Sequence, residues 1–302
     1  MPLLSYKDNV HSYSRYVEPP PPPIDSLEYL IVGGGGGAST LAGGGGAGGF
    51  LTGTISVSTG QLYYITVGAG GNSANTTNYP GNGYASQFYY YTPQDQLVNL
   101  VTVYGGGAGA PYNGYAQNGG SGGGGAPYPS LQSGGLGEAG PPRQGYDGGN
   151  GTQDFSTGGG GGGASAVGGN GVANTRGGHG ADGLVSSISG ISTTYAGGGG
   201  AGGRNDAPYT TSPGNGGAGG GGNGSTGTNV GISGTANTGG GGGSGGYANS
   251  YWSQGGSGGS GIVILRYPDT LPAAVSTTGS PTITVSGGYR IYKFTGSGSI
   301  TF

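Results

Sequence analysis

The 302-residue chain contains no cysteine. Disulfides and thiolate metal sites are therefore excluded, while the redox compartment is left open. Charge is almost as scarce: 6% of residues are charged and the formal net charge is −3, which leaves no basic footprint for nucleic acid. Between Glu28 and Glu138 the only charged residue is Asp95. That stretch must be kept polar by Asn, Ser, Thr, Tyr and exposed peptide groups. Lysine occurs only at positions 7 and 293, so no Gly-rich loop can end in the Gly-Lys-[Ser/Thr] of a P-loop. No apolar run approaches membrane-spanning length, and Met1–Lys7 lacks the apolar centre of a signal peptide. Neither membrane insertion nor general secretion is expected.

Residues with catalytic chemistry are equally sparse. His11 and His179 are the only histidines. His179 stands three residues before Asp182, a spacing that fits a His–Asp pair or a polar cap on a local turn. No serine is positioned to complete a triad. Asp147 and Asp154 are too isolated for a multidentate calcium cage. Matches to Gly-x-Gly-x-x-Gly are numerous only because glycine is everywhere; without a βαβ unit they carry no information. No catalytic residue, metal or cofactor is expected, and the chain is not expected to be an enzyme.

What is abundant is glycine, 85 residues, with 18 prolines and 23 tyrosines. Such composition usually marks low-complexity disorder, but disorder also needs high net charge, and the glycine runs here alternate with good strand sequences. Collagen is excluded by the missing Gly-X-Y period. The six uninterrupted glycines Gly158–Gly163 each cost about 0.5–1 kcal/mol relative to Ala when ordered. One structure offsets that cost. The polyglycine-II rod, a relative of polyproline II, has three residues per turn, about 3.1 Å rise and no internal hydrogen bonds. Its backbone groups project sideways and must pair with neighbouring rods. Gly158–Gly163 is expected to be such a rod, interior and about two turns long. An edge rod can carry another residue at about every third position. A conventional hydrophobic core is not expected to hold this chain.

Along the sequence, Leu27–Val32, Phe50–Ser58, Gln61–Val67, Val98–Tyr104 and Ile262–Tyr267 read as strands. The second and third are expected to form a hairpin around Thr59-Gly60. Leu184–Ala196 reads as a strand pair or bend, and Thr282–Val285, Arg290–Phe294 and Ser299–Phe302 as a small β-meander. Asn-Gly and Pro segments between glycine runs read as turns. The expected fold is mainly irregular/β: a polyglycine-II sandwich flanked by short strands, a small C-terminal β-meander, and essentially no α-helix. Its parts are residues 1–26, a charge-dense peptide and Pro19–Pro23 spacer suited to attachment; 27–268, the glycine-rich domain; and 269–302, a C-terminal strand segment. Tyr6, Tyr13 and Tyr16 are the attachment candidates.

The best functional signal is aromatic. Tyr and Trp give large contact area at low entropy cost. The candidates for a recognition surface are Tyr89, Tyr90, Tyr91, Tyr112, Tyr115, Tyr209, Tyr247, Tyr251 and Trp252, read as turns joining rods. Tyr247–Trp252 ranks first because it holds the only Trp.

Several phrases resemble the glycine-rich domains of bacteriophage tail fibres and tail-tip adhesins: EYLIVGGGGG (28–37), GGFLTGTISVSTGQLYYITVGAGG (48–71), GADGLVSSISGISTTYAGGGGAGG (180–203), TANTGGGGGSGG (235–246) and GSGIVILRYP (259–268). The resemblance implies packed polyglycine-II rods. It also implies distal loops that bind a host-cell surface receptor, either a glycan or an outer-membrane protein. The expected partners are that receptor, other tail or fibre proteins at the N-terminus, and further copies of the chain, with a trimer favoured. The expected location is the virion, and the lack of a secretion signal fits release by lysis. A second class, a purely structural virion or matrix protein, uses the rods for stiffness. GGYRIYKFTGSGSITF (287–302) resembles the lead-in to an EYLIVGGGG-type strand in related chains, so it is expected beside residues 27–32 or on another subunit.

Overall fold

The computed structural model describes residues 22–75, 79–128, 130 and 132–302; the attachment candidates Tyr6, Tyr13 and Tyr16 lie outside them. No helix occurs among the described residues. In chain order the strands are β1 (Ser26–Val32), β2 (Phe50–Ser56), β3 (Leu62–Thr66), β4 (Ser86–Tyr91) and β5 (Leu97–Val103). Three short hairpin pairs and a long strand follow: β6 (Leu184–Ser186), β7 (Thr193–Tyr195), β8 (Asn205–Asp206), β9 (Tyr209–Thr210), β10 (Tyr247–Ala248), β11 (Tyr251–Trp252) and β12 (Ile262–Pro268). The last four are β13 (Ser276–Thr278), β14 (Thr282–Ser286), β15 (Tyr289–Phe294) and β16 (Gly298–Thr301). Two five-stranded antiparallel sheets, ordered β14-β15-β12-β1-β2 and β13-β16-β3-β4-β5, form a β-sandwich. From it the glycine runs extend as an array of rods.

The sandwich has a conventional core, contrary to expectation. Leu27, Ile31, Leu51, Tyr63, Ile65, Phe88, Val263, Leu265 and Phe294 meet between the sheets. Alternate residues of β1 and β12, Leu30, Val32, Ile262 and Ile264, face a second cluster. There the β6–β7 hairpin, through Ile188 and Tyr195, and the rod residues Ala47, Ala164 and Ala196 cover the sheet's other face. Burial on both faces is why β12 reads as an unbroken apolar run rather than an alternating one.

The hairpin expected around Thr59-Gly60 does not form. β2 pairs with β1, and β3 pairs with β16 and β4. Gly60, at φ 81°, turns the chain from one sheet to the other. Period two correctly gave each strand one buried face, but those faces meet across the core, not side by side in one sheet. The expected C-terminal meander is divided likewise: β14 and β15 pair on one sheet while β16 crosses to the other. Residues 287–302 therefore pair within the chain, with β15 one strand removed from β1.

The rods show the threefold hydrogen bonding of polyglycine II. Gly33 and Gly36 donate to Gly49 and Gly46, Gly34 and Gly37 to Tyr84 and Gly81, and Gly35 and Ala38 to Gly259 and Gly256, all at 2.9–3.0 Å. Each pair of donors three residues apart serves one antiparallel neighbour. The carbonyls of the same rod accept from Gly106 and Gly109, from Gly71 and Ala74, and from Gly242 and Gly245. This rod is enclosed on six sides.

Gly158–Gly163 is likewise interior. With Ala164 it donates to Gly125 and Gly122, Gly169 and Ala166, and Gly199 and Ala196; its carbonyls serve Gly44 and Ala47, Gly149 and Tyr146, and Gly178 and Ala181. A methyl at Gly160 or Gly161 would fall on the carbonyl oxygen of His179 or Gly45.

At the array's edges, side chains replace the missing rod. The Asn82 Oδ1 accepts from Ala108 N–H, Asn118 from Leu136, Asn150 from Gly134, Asn170 from Asn150 and Asn223 from Gly216, at 2.7–3.1 Å. Asn82, Asn150, Asn170 and Asn223 each stand between two glycines. The Gly-Asn-Gly segments are thus edge-rod signatures, where turns were expected from Asn-Gly. None of these asparagines has positive φ.

Candidate functional site

The rods alternate in direction, so their turns fall at two poles. The rod after β1 leaves the sandwich at Val32, turns at Ser39–Ala42 and returns to β2 at Phe50. The turn must lie about 20 Å from the sheets, given roughly seven residues at about 3.1 Å each. The same reasoning places 111–115, beyond the rod after β5, and 247–252, before the rod into β12, at this distal pole. Bridges Thr40↔Gly245 and Arg204↔Tyr247 draw neighbouring turns together there. The N-terminal segment enters at the opposite pole, where Ser26 opens β1 against Ser56.

Six of the nine aromatic candidates share the distal pole: Tyr112, Tyr115, Tyr209, Tyr247, Tyr251 and Trp252. Trp252 packs edge-on against Tyr247 at 4.5 Å and Tyr112 at 5.0 Å. Tyr112 in turn touches Tyr128 at 6.1 Å and Phe155 at 6.4 Å, and those two rings meet at 5.2 Å. Arg204 fastens the group. Its guanidinium lies over Tyr209 at 4.3 Å and Tyr247 at 5.0 Å, pairs with Asp206 at 3.0 Å (Nη2–Oδ2) and donates to the Phe155 carbonyl at 3.2 Å. The Asp206 carboxylate raises the Arg204 pKa, while burial raises that of Tyr112.

These rings divide by exposure. Tyr112, Tyr209, Tyr247 and Trp252 are half-buried among themselves and Arg204. Tyr115 and Tyr251 are 65% and 57% exposed and form the outer surface, with Tyr79 at 59%. The remaining three candidates are elsewhere. Tyr89, Tyr90 and Tyr91 form part of β4 rather than a turn, with Tyr89 stacked on Tyr64 at 5.5 Å. The signal against a turn was the unbroken run of β-favouring aromatics Phe88–Tyr91, with no Gly, Pro, Asn or Asp inside it.

Sequence reasoning missed Tyr79, Tyr128, Phe155 and Arg204 as members of the pole. Tyr128 sits in an Ala-Pro-Tyr-Pro segment between glycine runs, the same context as Tyr112 and Tyr209, so it was open to recognition. Phe155 and Arg204 were not, because their roles depend on which turns become neighbours. His179 and Asp182 cap separate neighbours rather than pairing: the His179 Nδ1 accepts from Asn215 N–H at 2.8 Å, and the Asp182 Oδ1 from Ala218 N–H at 2.7 Å. Asp147 caps Gly137 N–H at 2.8 Å. Asp154 accepts from the Ser156 hydroxyl at 2.6 Å; burial alone would raise its pKa, but hydrogen bonds from Ser156 and Thr152 outweigh it and lower it.

A family profile described as a glycine-rich domain matches residues 13–268, most of the chain. The chain belongs to the glycine-rich domain family. No curated protein matches it. The match takes in β1 to β12 and every rod described above, while β13 to β16, which complete both sheets, follow the matched part. The distal aromatic pole thus lies wholly within the glycine-rich domain.

Proposed function

We propose that this glycine-rich protein is a bacteriophage tail-fibre or fibre-tip adhesin, a non-catalytic component of the extracellular virion. Its distal pole meets a host-cell surface receptor, a glycan or an outer-membrane protein. Residues 1–26 attach it to other tail or fibre proteins. The observation that carries this reading is the gathering of six aromatic candidates on turns at the pole away from the N-terminal entry, with Tyr115 and Tyr251 outermost. Recognition surfaces are enriched in such rings. The two poles are separated by about 20 Å of rod and about 23 Å of strand, which keeps attachment and recognition apart.

The half-buried rings around Arg204 hold the turns in place, and the exposed pair supplies contact. Replacing Tyr115 and Tyr251 together by Ala should leave the melting temperature unchanged. Adsorption to host cells should fall more than about tenfold, equivalent to about 1.4 kcal/mol. Normal adsorption of the double variant rejects this pole as the receptor surface. Loss of assembly without loss of folding instead favours the second reading, a structural protein whose exposed rings make subunit contacts.

A further inference from the structure

A β-sandwich with two open sheets has four edge strands, and an unprotected edge invites pairing with another chain. Three of the four are managed here. At β2 and β5 the buried Gln144 closes the gap. Its carbonyl accepts from Phe50 N–H at 2.9 Å, its Oε1 accepts from Tyr104 N–H at 2.8 Å, and its Nε2 donates to the Thr102 carbonyl at 3.1 Å. β5 is also distorted by a bulge in its pairing with β4. β13 is only three residues long. β14 has none of these protections. All five residues of Thr282–Ser286 are exposed, its register with β15 is unbroken, and it carries neither charge nor proline. Ile283 and Val285 are 49% and 55% exposed on one face.

We infer that β14 pairs antiparallel with β14 of a second copy of this chain, joining two sheets into one continuous ten-stranded sheet. The choice of partner rests on the strand's own sequence. Thr-Ile-Thr-Val-Ser is close to a palindrome about Thr284. A twofold axis there sets Ile283 against Val285 of the second copy, Thr282 against Ser286, and Thr284 against itself. Aliphatic meets aliphatic and hydroxyl meets hydroxyl, the self-complementarity that a twofold contact requires. No charge opposes a like charge in that register. The turn of the β6–β7 hairpin packs against Ser286 and Ile291 on the opposite face from Ile283 and Val285, and so leaves that pair uncovered. A twofold contact closes at two chains, in place of the trimer that was expected.

Sedimentation of the full chain should give a dimer. Ile283→Lys with Val285→Lys should give a folded monomer, since both side chains are exposed in the single chain. The chain has no native cysteine, so Thr284→Cys reads the register directly. Facing residues in an antiparallel pair are about 4.5–5.5 Å apart at Cα, within the ~4.4–6.8 Å that a disulfide spans. Mild oxidation should yield a covalent dimer, whereas Val230→Cys, exposed on the rod array, should not. A wild-type monomer at all concentrations, a trimer, or a dimer that survives both lysines would overturn the pairing. So would equal cross-linking at positions 284 and 230.

Discussion

The sandwich and the rod array obey opposite rules. In the sandwich, side chains supply the stabilisation: Phe88, Phe294, Tyr292 and Ile264 are fully buried, and the backbone need only pair within its sheet. In the array, backbone groups supply it, and side chains are excluded wherever a rod is enclosed. The sandwich therefore suffers when atoms are removed and the array when atoms are added. The two are joined in series at three strands of the first sheet: Val32 runs into Gly33, Gly49 into Phe50 and Gly261 into Ile262.

Adding an atom to the array is the sharpest break. Gly160→Ala places a methyl on the His179 carbonyl, and Gly161→Ala does the same at Gly45. Neither backbone can retreat, because each is bonded to further rods. Either variant should be insoluble or lose cooperative unfolding altogether. Gly296, in the sandwich, has open space around its Cβ position and no positive φ. Gly296→Ala should melt within about 1 °C of the parent, an expectation based on the small size of surface effects. Equal melting of Gly160→Ala and Gly296→Ala by calorimetry would contradict the enclosed rod.

Removing atoms from the sandwich comes next. Phe88 is completely buried and stacks on Tyr63 at 5.2 Å. Phe88→Ala should cost about 3–5 kcal/mol, as large-to-small changes in cores do. Unlike the rod variants, it should still fold, with a lowered midpoint in denaturant. A midpoint unchanged within error means the sheets contribute little and the array alone sets stability.

This contrast also explains what could be read in the sequence. Gly158–Gly163 was legible as an interior rod because only one backbone structure accommodates six glycines, and local composition decides it. Leu27–Val32 and Ile262–Tyr267 were legible as strands from local composition too, while Leu184–Ala196, read as a strand pair or bend, is the β6–β7 hairpin. Which strands pair was not, since Tyr63 and Leu51 reach one core from different sheets and period two is silent about that. The core itself was underestimated because its residues are dispersed from Ile24 to Phe302, diluted by glycine in any window. The aromatic pole was legible in part: Tyr112 lies in a turn between rods as expected, and Tyr209 and Tyr247 lie in two-residue hairpin strands between rods. Their junction through Arg204 is set by the order in which rods pack, which no short motif encodes.

The smallest expected effect tests the array's edge, where the two rules meet and a side chain does a rod's work. The His179 Nδ1 can accept from Asn215 N–H only while the imidazole is neutral. Burial first, and then the positive charge of Arg176, lower its pKa below the ordinary value. The unfolded chain consequently takes up a proton at higher pH than the folded one. Stability from this group is full above the unfolded value of about 6.5 and is lost as the pH falls through the lowered folded value. Asn caps the same kind of edge N–H at Asn82 and Asn118 without titrating. His179→Asn should therefore match the parent at about pH 7.5 and exceed it at about pH 5, by roughly 1–3 °C in melting temperature for a bond worth under about 1 kcal/mol. His11 and every carboxylate are common to both proteins. Parallel melting curves for the two proteins from about pH 7.5 to about pH 5 would show that the edge rod does not depend on this acceptor.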